Sequence, residues 1–301
     1  MHRCLHVPEV GRCIASDLDK EDAYHLAITC KDMLNPCLDE VWCEIHSLEP
    51  LIACLPEDLW SNAGSQPQGD DQVTILDQGR ELLPADLLRY TTHYAPRIRI
   101  LDLRDFGTGK ILSIETLHNL QLLTGCQSGA LSPLLKVLMW QDAEYLEDLA
   151  GQDYAMWFPT HTSLFMGESV EKLTASLFSD DPAAHKVAFH AGMRRREANL
   201  TNLWITGKEV IERCFQSFPF SMLDTLAIHG ADMAVLPDLT SLPRLRDLTI
   251  RNPQMANPPQ PVSPTKTSVV ETFKLLQQLR VTASVSVRGD RGASRSFGGA
   301  P

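Results

Sequence analysis

The sequence predicts a mixed helix and strand chain: an α+β or α/β solenoid of repeated strand–helix units behind a small helical module. Three observations predict it. The first sixty residues carry helical apolar spacing cut by prolines and capping residues. Residues 61–72 (SNAGSQPQGDDQ) hold no large apolar side chain, the composition of a linker. From residue 73 onward one apolar spacing recurs along the chain, each copy followed by a stretch of helical periodicity.

The elements follow in order. Pro8 suits a first helical turn, where a missing N–H costs little. Val10, Ile14 and Leu18 fall at intervals of four and make one apolar stripe. Asp19 is placed to cap a second helix, with Glu21 and Asp22 at the positive end of its dipole. Leu26, Ala27 and Cys30 give that helix a buried side. Asn35-Pro36 reads as a cap and first-turn proline for a third helix, with Leu38, Val41, Trp42 and Ile45 on its apolar face. Glu49-Pro50 opens a fourth, short helix carrying Leu51 and Ile52.

Together these landmarks form an ordered set: Leu5-His-Val-Pro-Glu-Val, Ile14, Leu18-Asp19, Asp22, Leu26-Ala27, Cys30-Lys31 and Trp42. The set closely resembles the F-box, which runs from a Leu-Pro opening through an aliphatic helix, a Leu-Asp turn and a Cys-Lys or Cys-Arg pair to a late Trp. The resemblance covers residues 5–45 without a gap. It departs at Val7 (usually Leu), Gly11 (usually a large aliphatic) and Ala23 (usually Leu). It implies docking onto a Skp-family adaptor, and through it a cullin, with Leu5, Val7, Pro8, Val10, Ile14 and Leu18 as the contact residues. Lost apolar area at positions 7 and 23 implies weaker adaptor binding than is usual for the family.

The recurring spacing is apolar–x–x–apolar–x–apolar. It appears at Ile98-Leu101-Leu103, Leu135-Leu138-Trp140, Leu200-Leu203-Ile205, Leu223-Leu226-Ile228 and Leu245-Leu248-Ile250, with weaker copies near Val170-Leu173 and Leu279. Helices are expected between copies, at Ser113–Leu123 with Gly125 as a stop, at Lys208–Phe218 and at Ser268–Leu279. This L-x-x-L-x-L strand followed by a helix resembles the leucine-rich repeat. Each such unit leaves an apolar face uncovered and must stack on its neighbours. The copies at Leu200, Leu223 and Leu245 are evenly spaced and the others lie further apart, so an irregular leucine-rich-repeat domain with insertions is expected. A doubly wound α/β sheet is the alternative, since strand–helix alternation fits both. The resulting division is a helical module over residues 1–60, a linker over 61–72, the repeat domain over 73–286 and a Gly-, Ser- and Arg-rich tail over 287–301, expected to be disordered. The chain stops soon after a repeat strand with no polar capping unit, as a truncated product would.

Functional residues of such a domain lie on its strand face and strand exits. The candidates are Arg97, Arg99, Asp102, Arg104, Asp105, Trp140, Asp142, Trp204, Lys208, His229, Arg246 and Arg251. Trp204, His229 and Arg246 are singled out for a protein substrate, because they fall in the evenly spaced copies and Trp and Arg favour binding hot spots. Trp204 sits between Leu203 and Ile205, so if those face inward it faces out.

Composition limits the function further. A net charge of −11 argues against a nucleic-acid partner. The opening residues hold no secretory apolar run and no segment has the length of a membrane span, so a cytoplasmic or nuclear chain with reduced thiols is expected. The cysteines at 4, 13, 30, 37, 43 and 54 contain no close pair of the kind that binds zinc, so neither metal nor cofactor is expected. Asp105-Phe106-Gly107 and Gly109-Lys110 imitate kinase and P-loop strings but lack their companion motifs. The expectation is a non-catalytic binding protein, either a ubiquitin-ligase receptor or a plain repeat scaffold.

Overall fold

A computed structural model describes residues 7–61, 74–104, 109–140, 152–176, 183–195, 199–206, 214–215, 217–230, 239, 242–251 and 277–282. Leu5, most of the expected linker, the helices expected at Lys208–Phe218 and Ser268–Leu279 for the greater part, and the tail lie outside these residues.

Three helices open the chain: α1 (Pro8–Ser16), α2 (Lys20–Thr29) and α3 (Leu34–Cys43). Pro8 takes the first turn of α1, and the Asp19 carboxylate accepts from the Asp22 N–H at 2.8 Å to cap α2. Helix α3 starts earlier than the Asn35-Pro36 signal suggests, at Leu34 behind Met33. Asn35 is not its cap; its side-chain oxygen instead accepts from Arg97 at 2.9 Å. The three helices enclose a small core of Ala15, Ala23, Ala27, Cys30, Met33 and Cys37, with Ile14, Leu18, Leu26 and Val41 against it. Small side chains bring the helices close. Gly11 is the tightest case, since a Cβ there would lie 3.3 Å from Pro36 Cγ and 3.6 Å from Met33 Sδ.

The larger core forms on a mostly parallel sheet. Its strands are β1 (Glu44–Ile45), β3 (Ile100–Leu103), β5 (Val137–Trp140), β6 (Lys172–Ser176), β7 (Asn202–Thr206), β8 (Thr225–His229), β9 (Asp247–Arg251) and β10 (Gln278–Thr282). They are hydrogen-bonded in that order, each pair parallel. The order never reverses along the sheet, and a reversal is the mark of a doubly wound fold, so that alternative is set aside. A separate parallel pair joins β2 (Thr74–Leu76) to β4 (Lys110–Leu112). Helices α4 (Glu49–Cys54), α5 (Pro84–His93), α6 (Ile114–Leu123), α7 (Gln152–His161) and α8 (Ala183–Arg194) lie between strands in the chain. Ser113 caps α6 by accepting from the Thr116 N–H at 3.2 Å, and Gly125 ends that turn at φ +63°. Leu279, which the sequence offers both as a helix end and as a weak strand copy, lies in β10.

Every recurring copy named above falls on a strand, for a simple reason. Parallel neighbours align identical positions, so the middle apolar residue of each copy meets its counterpart. Leu101, Leu138, Leu173, Leu203, Leu226 and Leu248 are buried in register, with Ile45 of β1 ahead of them. The residue opening each copy is buried as well: Ile98, Leu135, Val170, Leu200, Leu223 and Leu245. Residues 44–60, grouped by sequence with the helical module, pack instead on this larger core through Ile45, Leu48, Leu51, Ile52, Leu55 and Leu59. A strand of two residues is too short to show a period, so β1 left no trace in the sequence.

Candidate functional site

Strand alternation gives the sheet one buried and one outward face. On the outward face the parallel register draws rows across the strands. One row runs Asp102, Met139, Thr174, Trp204, Ala227, Thr249 and Arg280. The next includes Thr206, His229 and Arg251. Trp204 is therefore half-buried on the outward side, flanked by inward Leu203 and Ile205 as alternation requires.

Trp204 and Arg251 meet across the intervening strand. The Arg251 guanidinium carbon lies 4.9 Å from the Trp204 ring centroid. On the strand between them Ala227 pairs with Trp204 and His229 with Arg251, so the diagonal from Trp204 to Arg251 passes beside the small Ala227 methyl group. His229, half-buried, is the direct partner of Arg251 on β9 and of Thr206 on β7.

The three singled-out substrate residues do not all converge. Trp204 and His229 share this face. Arg246 precedes β9 at the opposite end of the strand, exposed, with its Nε 3.3 Å from Asp224. It belongs to a rim where adjacent loops exchange charges, since Lys136 pairs with Glu171 in the same fashion. Backbone N–H groups of Lys136, Glu171, Thr201, Asp224, Arg246 and Gln277 each reach the carbonyl of the preceding loop, which fixes this rim. Arg251, named from the sequence among the wider set of strand-face and strand-exit candidates, is the arginine that stands beside the indole.

Other candidates separate by parity. Trp140 is only 3 % exposed and edge-on to Phe189, because it shares the inward parity of Leu138; it is a core residue, not a contact. Asp102 is tied to Arg104 at 2.7 Å, which holds its carboxyl below the usual range. Arg99 donates to the Pro96 carbonyl at 2.7 Å. Asp105, Asp142 and Lys208, together with the Asp105-Phe106-Gly107 string, lie outside the described residues.

Comparison of the chain with family models, curated proteins and solved structures finds no match.

At the other end of the chain, Val7 is 43 % exposed and Pro8 is exposed, while Val10 is half-buried. Ile14 and Leu18 are half-buried against the small core, so they serve the module itself as well as any partner. Two further apolar side chains stand out from α2: Tyr24 and Ile28, the latter 62 % exposed. Their spacing of four, one residue beyond buried Ala23 and Ala27, was the available signal.

A third feature is a polar groove of about 700 Å³ lined by Thr91, Thr124, Ser128, Glu168, Ser169 and Arg195, among others. Arg195 donates to Ser128 Oγ at 3.0 Å, and Glu168 lines the same groove. Among the described residues no helix is long and apolar enough to cross a membrane.

Proposed function

We propose that this chain is the substrate-recruiting F-box subunit of a cullin–RING ubiquitin ligase. Its N-terminal helices bind a Skp-family adaptor, and its strand face, arranged as an irregular leucine-rich-repeat solenoid, holds a protein substrate. The observation that carries the reading is a conjunction. An ordered set of F-box-like landmarks folds into three closely packed helices with Val7 and Pro8 left outside, and a one-directional parallel ladder with an outward Trp–Arg pair follows it. Exposed apolar side chains on a small helical module call for a covering partner. A parallel ladder gives a rigid platform, which lowers the entropy cost of binding. In this reading the chain is a non-catalytic receptor of the cytoplasm or nucleus and needs no cofactor.

Co-purification from a eukaryotic extract tests the proposal. Wild type should recover the adaptor and a cullin, and Val7→Asp with Pro8→Ala should lose both. These sites are preferable to Ile14, whose change would also disturb the small core. In a reconstituted ligase, ubiquitin transfer to a bound protein should require residues 1–60. Recovery of a substrate without any adaptor would leave a repeat scaffold in place of a ligase receptor.

A further inference from the structure

We propose that the outward face of β7, β8 and β9 recognises an acidic peptide segment, with Arg251, seated on Trp204, as the anchoring cation. This rests on the reading of the strand face as the substrate surface and gives that substrate a chemistry.

The geometry at Arg251 is that of a prepared anion receptor. The guanidinium carbon lies over the indole ring at 4.9 Å, a cation–π position from which its N–H groups can still donate to a carboxylate. Ala227, the partner of Trp204 on the strand between, adds only a methyl group beside this contact. The indole thus limits the freedom of a long side chain before any partner arrives.

Charge on the face points the same way. Outward positions of β6 to β10 carry Lys172, Arg251 and Arg280 against a single acid, Asp247. None of the three cations forms an ion pair with another described residue. The rim cations differ: Arg246 is paired with Asp224 and Lys136 with Glu171. A local positive surplus stands out in a chain of net charge −11. A neutral or basic segment laid on this face would bury Arg251 without a counter-charge, which is strongly unfavourable. An acidic segment supplies a counter-charge that no other described residue gives Arg251, and Trp204 and Ala227 accept its apolar atoms. Nucleic acid would demand a longer basic stripe than two rows of one sheet provide.

Selection of random twelve-residue peptides displayed on phage, with the full-length protein as bait, tests this. The expected result is a pool enriched in Asp and Glu. A synthetic peptide from that pool should bind R251A about tenfold or more weakly and lose affinity with added salt. W204F should bind better than W204A, because the ring and not its N–H seats the guanidinium. R246A, at the rim, should bind as wild type. A pool without acidic enrichment overturns the proposal, as does an acidic pool indifferent to R251A, or a single-stranded oligonucleotide that competes as well as the peptide. Adaptor recovery is a separate measurement. Adaptor bound with no acidic selection defeats only this inference, whereas acidic selection with no adaptor supports it and defeats only the ligase reading.

Discussion

The guanidinium of Arg97 holds Asn35 at two points, donating from Nη1 to the backbone carbonyl at 3.2 Å and from Nη2 to the side-chain oxygen at 2.9 Å. Asp39 accepts from the same group. Arg97 sits in the turn before β3 and Asn35 at the start of α3, so this contact pins the helical module to the sheet. Arg97→Ala should destabilise the chain by about 1–3 kcal/mol in urea unfolding, the usual loss for a charged hydrogen-bond donor. Arg97→Lys should recover only part of it, since a lone ammonium cannot span both oxygens. Equal stability of wild type and Arg97→Ala would show the pin to be idle.

At Gly11 the structure reverses a sequence-level judgement. The F-box resemblance calls for a large aliphatic there, and glycine in a helix costs about 1 kcal/mol. Yet Gly11 is buried against Pro36 and Met33 with little space to spare. Gly11→Ala should be nearly neutral, the helix gain offsetting a small shift of Pro36. Gly11→Leu should lose about 1–3 kcal/mol by overpacking. Differential scanning calorimetry would decide, and a stabilised Gly11→Leu would contradict the packing described.

Sheet parity predicts a contrast between neighbours. Leu226 is fully buried and Thr225 faces outward. Leu226→Ala should cost about 2–5 kcal/mol and Thr225→Ala under about 0.5 kcal/mol. Trp204→Ala should fall between, at about 1–2 kcal/mol, since one side of the ring rests on the sheet. A loss at Trp204 as large as at Leu226 would place the indole in the core.

Low pH should weaken the segment before α5. The Arg80 guanidinium, 2.7 Å from Asp86, and the Leu83 N–H hold the Asp86 carboxyl below its ordinary value. Arg80 likewise lowers Asp58. A carboxyl depressed in the folded state contributes its stability above the unfolded pKa, near 4, and loses it as pH falls through the lower folded value. The urea midpoint should therefore decline below about pH 4, and less steeply in Asp86→Asn. Parallel pH profiles for the two proteins would refute this.

Thiol labelling should sort the cysteines by burial. Cys13 and Cys126 are exposed, whereas Cys30, Cys37 and Cys214 are buried. Desolvation pushes the Cys214 thiol up to about 12, so its reactive thiolate is scarce at neutral pH. Brief iodoacetamide treatment followed by mass spectrometry should mark Cys13 and Cys126 and leave Cys214 unmodified until the chain unfolds. Prompt labelling of Cys214 would mean that its surroundings open readily.

The sequence by itself determined several helix starts and the inward set of the main strands. Pro8, Asp19 and Ser113 act at helix starts through groups within a few residues of them, so reading along the chain finds them. The strands at Leu101, Leu138, Leu203, Leu226 and Leu248 follow from apolar spacing, because a parallel ladder repeats the same demand at each step. Parity alone also turned Trp204 outward. What only the tertiary structure decided is who meets whom across strands. Arg251 reaches Trp204 across β8, past the small Ala227, and Arg246 is carried to the other end of the strand to pair with Asp224. The recruitment of β1 into the sheet and the close approach of Gly11 to Pro36 are of the same kind. Periodicity records which face a residue takes on its own element, but lateral register is set by the packing of all the elements together, and no local stretch of the chain encodes it.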